Sequence, residues 1–439
     1  MPEPESTSDL PSAERDAYDP LIPVSEDLRG FGTRDAFSLW FSLGIGLLVL
    51  QAGAFLVPGL SFGGALTAIV IGSLLGSGLL ALAGVVGADT GLATIAALRP
   101  TLGIRGAMVP AIINVIQLVG WGAFEIIAMR DAAGILTKTH FGFDLPIVWT
   151  LAFGLAATGL AILGPLSFVR QILRRGGMWL VMLGAAWLTF TLISRHDLLS
   201  LFAGKGDGSV SLGAGIDIVA AMPLSWLPLI ADYSRFGKSA KSMFKGSGLG
   251  YLLANIWFFA LGTAFALAAR HDGQDLLMSA LAATGGGFAL LMILIDETDN
   301  GFANIFSAAT STATMFRFKV RHLVIGFGAL CTVLALVVPM GQYLNFLLMI
   351  GSVFAPLYGV MLTDHFLIRG RQVVIEDIDR IEGAYGYHLI GVNVSAFAAW
   401  FFGVVVFHAI TTFQPSIGAT LPALVLSGLA YWLFKRYDY

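Results

Sequence analysis

Apolar stretches recur along most of the chain, and short polar segments separate them. From residue 36 onward each apolar stretch is about 17 to 25 residues long. A helix of that length crosses the ~30 Å hydrocarbon core of a bilayer, because each residue adds ~1.5 Å. The pattern predicts twelve membrane-spanning helices, which we number as spans in chain order: 36–58, 63–86, 107–130, 146–164, 177–194, 214–233, 248–269, 286–313, 322–339, 343–366, 390–408 and 418–434.

The composition excludes a water-soluble protein. Of the 439 residues, 56% are hydrophobic and only 12% are charged, which is too little charge to cover a soluble surface of this size. The 25 basic and 28 acidic residues leave no basic excess, so no nucleic-acid partner is predicted. The seven histidines are dispersed without metal-binding spacing. Because the sequence also lacks a catalytic motif, neither an enzyme nor a bound cofactor is predicted.

Basic residues are distributed unevenly between alternate loops. With the N-terminus placed in the cytoplasm, 20 of the 25 Lys and Arg residues fall on the cytoplasmic side and five on the other side. Cytoplasmic loops of membrane proteins carry such an excess, so both termini are predicted to be cytoplasmic. The compact chain with short loops is typical of a multi-pass protein of a bacterial inner (plasma) membrane.

Two predicted spans that stand five apart are interrupted by residues that break helices. The first span contains Gly44, Gly46 and Gly53, and the sixth contains Pro223 and Pro228. In transporters built from two inverted repeats of five helices, the first helix of each repeat is often broken near the middle of the membrane. The matched pair therefore favours such a repeat, whereas a single break is also typical of a kink or of close packing.

The predicted order of the chain is a tail followed by one membrane domain. Residues 1–34 are acidic, contain Pro and Ser and lack an apolar signal segment, which predicts a disordered cytoplasmic tail. Residues 35–439 are predicted to form a single transmembrane domain. Within it, repeat one covers about 36–194, repeat two about 214–366, and two peripheral helices lie at about 390–434.

The eighth span carries carboxylic acids deep inside the membrane. Asp296, Glu297 and Asp299 lie about a dozen residues from its start. Each ionised carboxylate at that depth costs at least ~2.5 kcal/mol, so the group needs a partner, a proton or a cation. The nearby amides of Asn300 and Asn304 are one turn apart and can hydrogen-bond a planar heterocycle. A purely structural polar network is the alternative interpretation.

The third span, the counterpart of the eighth in a repeat of five, carries a polar and aromatic stripe. Asn114, Gln117, Trp121 and Glu125 follow at spacings of three and four and share one helix face. An indole can stack on a ring while a carboxylate and an amide bind its edge. The alternative is that Trp121 packs against other helices and Glu125 belongs to a buried ion pair.

Four segments give the chain its resemblance to the nucleobase:cation symporter-1 family, in particular to its bacterial cytosine and purine permeases: Gln117–Trp121, Pro223–Phe236, Thr298–Asn304 and Asp364–Arg369. The resemblance covers most of the chain. It implies an all-α fold of the LeuT type, with a 5+5 inverted repeat plus two peripheral helices. It also implies alternating access and uptake of a nucleobase or related heterocycle, such as cytosine, a purine or a hydroxymethylpyrimidine, driven by Na⁺ or H⁺.

The resemblance assigns roles to residues. Trp121 would be the stacking platform and Glu125 a polar contact to the ring edge. The further substrate-binding residues would be Gln117, Asn300, Asn304, Gln51, Gly53, Ser225 and Trp226. At the sixth span, Pro223 or Ser225 is an alternative to Trp226.

The resemblance also implies a cation site between the first and eighth spans. The carbonyl groups of Leu47 and Leu50 would coordinate Na⁺ together with Thr298 and Asp299. Asp299 stands where the family often has a hydroxyl residue, so H⁺ coupling stays open.

Two other interpretations of the sequence remain. A symporter of the same fold for an amino acid or another small organic solute would have a cavity of small residues instead of an aromatic platform. A channel or membrane sensor would use the intramembrane acids for ion passage or signalling. Apart from substrate and lipid bilayer, the sequence indicates no partner and no particular oligomeric state.

Overall fold

A computed structural model of the protein describes residues 19–171, 177–195, 198–269 and 287–437. In these ranges the chain is helical, and one isolated bridge joins Phe31 to Gly237. The predicted all-helical membrane fold is confirmed.

A helix lies at each of the twelve predicted positions. The helices are Thr33–Ser42 with Leu47–Ala54, Phe62–Thr90, Met108–Phe141, Pro146–Gln171, Gly177–Arg195, Leu212–Ser225 with Ile230–Ser234, Ala240–Ala269, Gly287–Phe316, Val320–Val337, Tyr343–Leu362, Val394–Phe413 and Thr420–Tyr437. In the described part of the chain, eight helices are long and apolar enough to cross a membrane alone, or nine if the halves of the first span count as one.

The break in the first span is sharp. Its two helices, Thr33–Ser42 and Leu47–Ala54, are bent by 60° relative to each other. Glycine is required by close packing beside the break, since a Cβ on Gly44 would lie 2.7 Å from the Cβ of Ala254 in the seventh span. The predicted interruption therefore separates two half-helices whose ends lie inside the protein.

The helices pack as two groups, each made of spans that stand five apart. Group one contains the first, second, sixth and seventh spans, and group two contains the third, fourth, eighth and ninth. The tenth span packs against the sixth, and the eleventh and twelfth pack against the tenth. This pairing of spans is the arrangement expected of two five-helix repeats.

Part of the predicted disordered tail is packed against the helices. Val24 and Phe31 are buried, and their amides donate to the carbonyl oxygens of Gly91 and Phe236 at 3.0 and 2.9 Å. The few apolar side chains of residues 19–34 bury against the ends of the second and sixth spans. Residues 1–18 lie outside the described residues.

Candidate functional site

A small enclosed cavity lies where the third, sixth and eighth spans meet. The cavity volume is about 10 Å³, which is room for about one water molecule. It is lined by Trp121, Glu125, Met222, Ser225, Trp226 and Asn304. The structure thus brings together five of the predicted substrate residues. Met222 was missed, because a methionine in an apolar helix carries no local signal.

Aromatic neighbours fix both indole rings of the cavity. Trp121 meets the rings of Tyr343 and Phe346 edge-on, with centroids 5.7 and 5.2 Å apart. Trp226 packs edge-on against Trp40 at 6.0 Å. The indole Nε1 of Trp121 is buried and has no hydrogen-bond partner among the described residues. A preformed indole with an unused donor is suited to bind a planar ligand that accepts one hydrogen bond.

Side chains of the third span support the break in the sixth. Asn114 Nδ2 donates to the carbonyl oxygen of Pro228 at 2.9 Å, and Gln117 Nε2 donates to that of Ser225 at 3.3 Å. These carbonyls are released where the helix stops, and a buried carbonyl without a donor is costly. Gln117 was predicted as a substrate contact; it does not line the cavity but lies against Ser225, which does.

Side chains of the eighth span support the break in the first. The amide of Leu47, the first residue of the second half-helix, donates to Glu297 Oε2 at 2.9 Å. Asn300 Nδ2 donates to the carbonyl of Ile45 at 3.4 Å. A carboxyl group at a helix N-terminus is favourable, because the exposed amides and the helix dipole both attract negative charge.

Two acids from different spans meet beside the cavity. The carboxyl groups of Glu125 and Glu297 are buried and lie next to each other. Within the described structure, Glu125 Oε2 and Glu297 Oε1 are buried and have no hydrogen-bond partner. Two residues after Glu297, Asp299 Oδ2 accepts from the hydroxyl of Ser42 in the first span at 2.7 Å. The side chain of Asp296 is not among those that the structure describes.

The residues predicted to hold a cation contact several neighbours. The Thr298 hydroxyl donates to the Leu294 carbonyl at 3.1 Å. The Leu50 carbonyl packs against Gly262 of the seventh span, where a Cβ would lie only 1.9 Å from the oxygen. Leu47 is held through its amide by Glu297. In the described ranges no cluster of three or more His, Cys, Asp or Glu side chains suits a metal ion, and a Na⁺ site built from carbonyl and hydroxyl oxygens stays a prediction.

Two further predicted substrate residues lie outside the cavity lining. The Gly53 carbonyl accepts from the Thr263 hydroxyl at 2.8 Å, and a Cβ on Gly53 would lie 2.3 Å from the Phe259 carbonyl oxygen. Gly53 therefore permits close packing with the seventh span. Gln51 lies on the same half-helix, is half-buried, and is not among the residues that line the cavity.

Charged side chains join the loops on the side predicted to be cytoplasmic. Arg371 donates from Nε and Nη2 to the carboxylate oxygens of Asp89 at 2.9 and 2.6 Å. These contacts raise the pKa of Arg371. Arg99 pairs with Asp379 at 2.7 Å. Burial and then the nearby charge of Arg317 lower the pKa of Arg99 to about 10.

Two groups of spans that stand five apart, with broken first and sixth spans and an aromatic and polar cavity beside the sixth, are typical of membrane transporters of the LeuT type. Comparison with known sequences agrees. The chain belongs to the family of permeases for cytosine/purines, uracil, thiamine and allantoin, whose sequence model matches residues 23–433. This confirms the predicted nucleobase-cation-symport-1 family and a transporter rather than an enzyme.

Curated relatives have similar lengths and modest identity. The allantoin permease of Bacillus subtilis (strain 168) is 25% identical over 434 residues, which cover 88% of this chain and 85% of the relative. The hydantoin permease of Microbacterium maritypicum is 23% identical, with 85% and 80% covered. The cytosine permease of Escherichia coli (strain K12) is 27% identical over half of each chain, 50% and 51%.

Solved structures share the fold. The structure of Mhp1, a nucleobase-cation-symport-1 family transporter in a closed conformation with bromovinylhydantoin bound, has a TM-score of 0.80 at 20% identity and covers 94% of each chain. A Na⁺-coupled sialic acid symporter has a TM-score of 0.65 at 11% identity, with 96% of this chain and 91% of that chain covered.

Proposed function

We propose that the protein is a secondary active symporter that imports a nucleobase or a related heterocycle across the cytoplasmic membrane. The substrate is cytosine-like, purine-like or hydroxymethylpyrimidine-like, the driving ion is Na⁺ or H⁺, and both termini are cytoplasmic. The observation that carries the proposal is the cavity itself, in which the fixed indole of Trp121 lies beside the carboxyl group of Glu125 and the amide of Asn304. An indole face with hydrogen-bonding groups at its edge matches a flat polar ring.

The position of the cavity supports alternating access. Three lining residues, Trp121, Glu125 and Asn304, belong to group two, and the other three belong to the sixth span in group one. Because the ligand is held from both groups, a movement of one group against the other opens the cavity and exposes the ligand to one side of the membrane. The small free volume fits a closed state that opens to admit its substrate.

Hydrogen bonds between the two groups support coupling to a cation. Glu297 binds the Leu47 amide, and Asp299 binds the Ser42 hydroxyl. In both pairs the acid belongs to the eighth span and its partner to the first. A cation or proton that binds at these acids changes the charge at the junction of the two groups, and so favours one arrangement of the groups over another.

The names of the relatives support the substrate class. Allantoin, hydantoin and cytosine permeases all take their names from small nitrogen heterocycles. Since the aromatic platform and polar edge groups are present in this cavity, the chemistry of the site agrees with that class of compound.

The test is ligand-dependent thermal stabilisation of the detergent-solubilised protein, followed by uptake into proteoliposomes. The panel contains nucleobases, hydantoin, allantoin, thiamin pyrimidines and amino acids, each with and without Na⁺ at two pH values. A ligand that binds the folded state raises the melting temperature by mass action. Stabilisation and gradient-driven uptake of a heterocycle are expected. If only amino acids stabilise the protein, or if ions flow without a heterocycle, the proposal is wrong.

A further inference from the structure

The two broken helices determine which hydrogen-bonding groups remain available beside the cavity. Carbonyl oxygens only accept hydrogen bonds, so the amide group that faces one must present its nitrogen. The Ser225 and Pro228 carbonyls thereby orient the amides of Gln117 and Asn114. The carbonyl groups released at the break therefore occupy N–H donors of the nearby side chains.

Gln117 shows the consequence. Its Nε2 donates to Asn114 Oδ1 at 2.9 Å and to the Ser225 carbonyl at 3.3 Å, which uses both of its N–H groups. Its Oε1 is buried and has no partner within the described ranges. What remains of this amide is an acceptor, one helical turn from Trp121.

Two asparagines of the eighth span also keep an unused acceptor. Asn300 donates to the Ile45 carbonyl, and its Oδ1 lacks a partner among the residues that the structure describes. Asn304 donates one N–H to the Asn300 carbonyl at 3.0 Å, which leaves its oxygen and one N–H. Each asparagine thus keeps its side-chain oxygen as an acceptor and one N–H as a donor.

The groups that line the cavity itself add further acceptors. The Ser225 hydroxyl donates to the Met222 carbonyl at 2.7 Å, so only its lone pairs remain. Glu125 contributes a carboxyl group next to that of Glu297. On the donor side, Trp121 Nε1 is buried and unpartnered in the described structure. The cavity is therefore rich in acceptors.

We propose that this site selects planar rings whose edge is rich in N–H donors, that is, amino-substituted heterocycles, over oxo-substituted rings of the same size. An exocyclic amino group donates hydrogen bonds, whereas an oxo group at the same position only accepts them. An oxo group placed against Glu125 or the Ser225 hydroxyl would leave two acceptors facing each other in a closed cavity, which is costly. This inference rests on the proposed function and deepens it.

The test is equilibrium binding of two matched pairs of rings to the full-length protein in detergent: cytosine against uracil, and adenine against hypoxanthine. Within each pair the rings have nearly the same size, and the substituent changes from amino to oxo. We expect the amino ring to bind ~10-fold or more tightly in each pair, because an unmatched buried polar group is strongly discriminated against.

The variant Glu125→Gln tests the direction of selection. It keeps the side-chain shape and introduces an amide donor, so the amino-to-oxo affinity ratio should fall towards one or below. Glu376→Gln, the same substitution at an exposed residue between the tenth and eleventh spans, is the matched control and should leave the ratio unchanged. Size-exclusion elution checks that the variant is folded, and if it is not, the wild-type ratio decides alone.

The outcomes separate this inference from the proposed function. Uracil and hypoxanthine binding as tightly as their amino partners, or a ratio that a folded Glu125→Gln variant leaves unchanged, overturns the inference and leaves a heterocycle symporter. If no ring of either pair binds and no heterocycle is transported, the proposed function fails and the inference fails with it.

Discussion

The backbone amide of Leu47 donates a 2.9 Å hydrogen bond to the carboxyl group of Glu297. The first residue of a half-helix in group one is thereby held by an acid in group two. The same acid is a neighbour of Glu125, which lines the cavity. The end of the broken first span, the acid pair and the cavity form one continuous set of contacts.

Removal of this acid is expected to loosen the second half of the first span. Glu297→Ala leaves the Leu47 amide without its acceptor and should lower the free energy of unfolding by ~1–3 kcal/mol. Glu297→Gln is the control, because an amide oxygen can still accept from Leu47, and it should cost less. Thermal unfolding in detergent measures both variants. Equal melting temperatures would contradict a capping role for Glu297.

Trp121→Ala is expected to abolish measurable heterocycle binding, because the indole supplies both a stacking face and an unused donor. It should also reduce stability by ~3–5 kcal/mol, since the edges of Tyr343 and Phe346 lose their partner. Trp121→Phe keeps a ring face and should retain a fold with weaker binding. Trp187→Ala, at a residue that is 45% exposed, is the matched control. Unchanged affinity in a folded Trp121 variant would remove this residue from the site.

Asp299→Asn is expected to uncouple uptake from the ion gradient. An asparagine can still accept from the Ser42 hydroxyl, so the contact at 2.7 Å is kept while the charge that attracts a cation or binds a proton is lost. Uptake into proteoliposomes under imposed Na⁺ or pH gradients measures the effect, and Ser42→Ala tests the hydrogen bond separately. Full retention of the wild-type gradient dependence would place coupling elsewhere.

Tyr358 of the tenth span is expected to stabilise the broken sixth span. Its hydroxyl donates to the Leu227 carbonyl at 2.6 Å, between the two helical halves. Tyr358→Phe removes only this hydroxyl and should cost ~1–3 kcal/mol, because a buried carbonyl loses its donor. Heterocycle affinity should fall with it, since Ser225 and Trp226 lie at the same break. A melting temperature and affinity equal to wild type would show that the break does not depend on Tyr358.

The packed N-terminal segment is expected to contribute to stability. Phe31 is buried, whereas Ile22 is 42% exposed. Phe31→Ala should therefore lower the free energy of unfolding by ~3–5 kcal/mol, and Ile22→Ala should change it by less than ~0.5 kcal/mol. Similar small effects of both substitutions would mean that the segment does not hold its place on the helices in solution.

The fold was largely predictable because the bilayer imposes one length scale and one polarity on every span. Gly46 and Pro228 marked the two breaks for a similar reason, since helix-breaking residues are visible in the sequence itself. The segment around Val24 and Phe31 was not predictable, because composition reports how apolar a segment is and not whether a groove exists to receive it.

The cavity was only partly predictable. The spacing of Trp121 and Glu125 identified one face of the third span, because helical periodicity depends on neighbours in the chain. Gln117 shares that face, yet its amide supports the Ser225 carbonyl, a contact that depends on where the sixth span breaks. Tyr343, which donates to the Leu48 carbonyl at 2.8 Å, carried no local signal, since its partner lies almost three hundred residues away.

The cavity takes half of its wall from each group of spans, so neither half of the molecule contains a complete binding site. A compound that touches both halves acts as the bridge between them, and its affinity includes the free energy of bringing the halves together. A molecule that fits one half and is too bulky for the other to close upon it is therefore expected to inhibit rather than to cross. Small size is then a condition for being carried as well as for being bound.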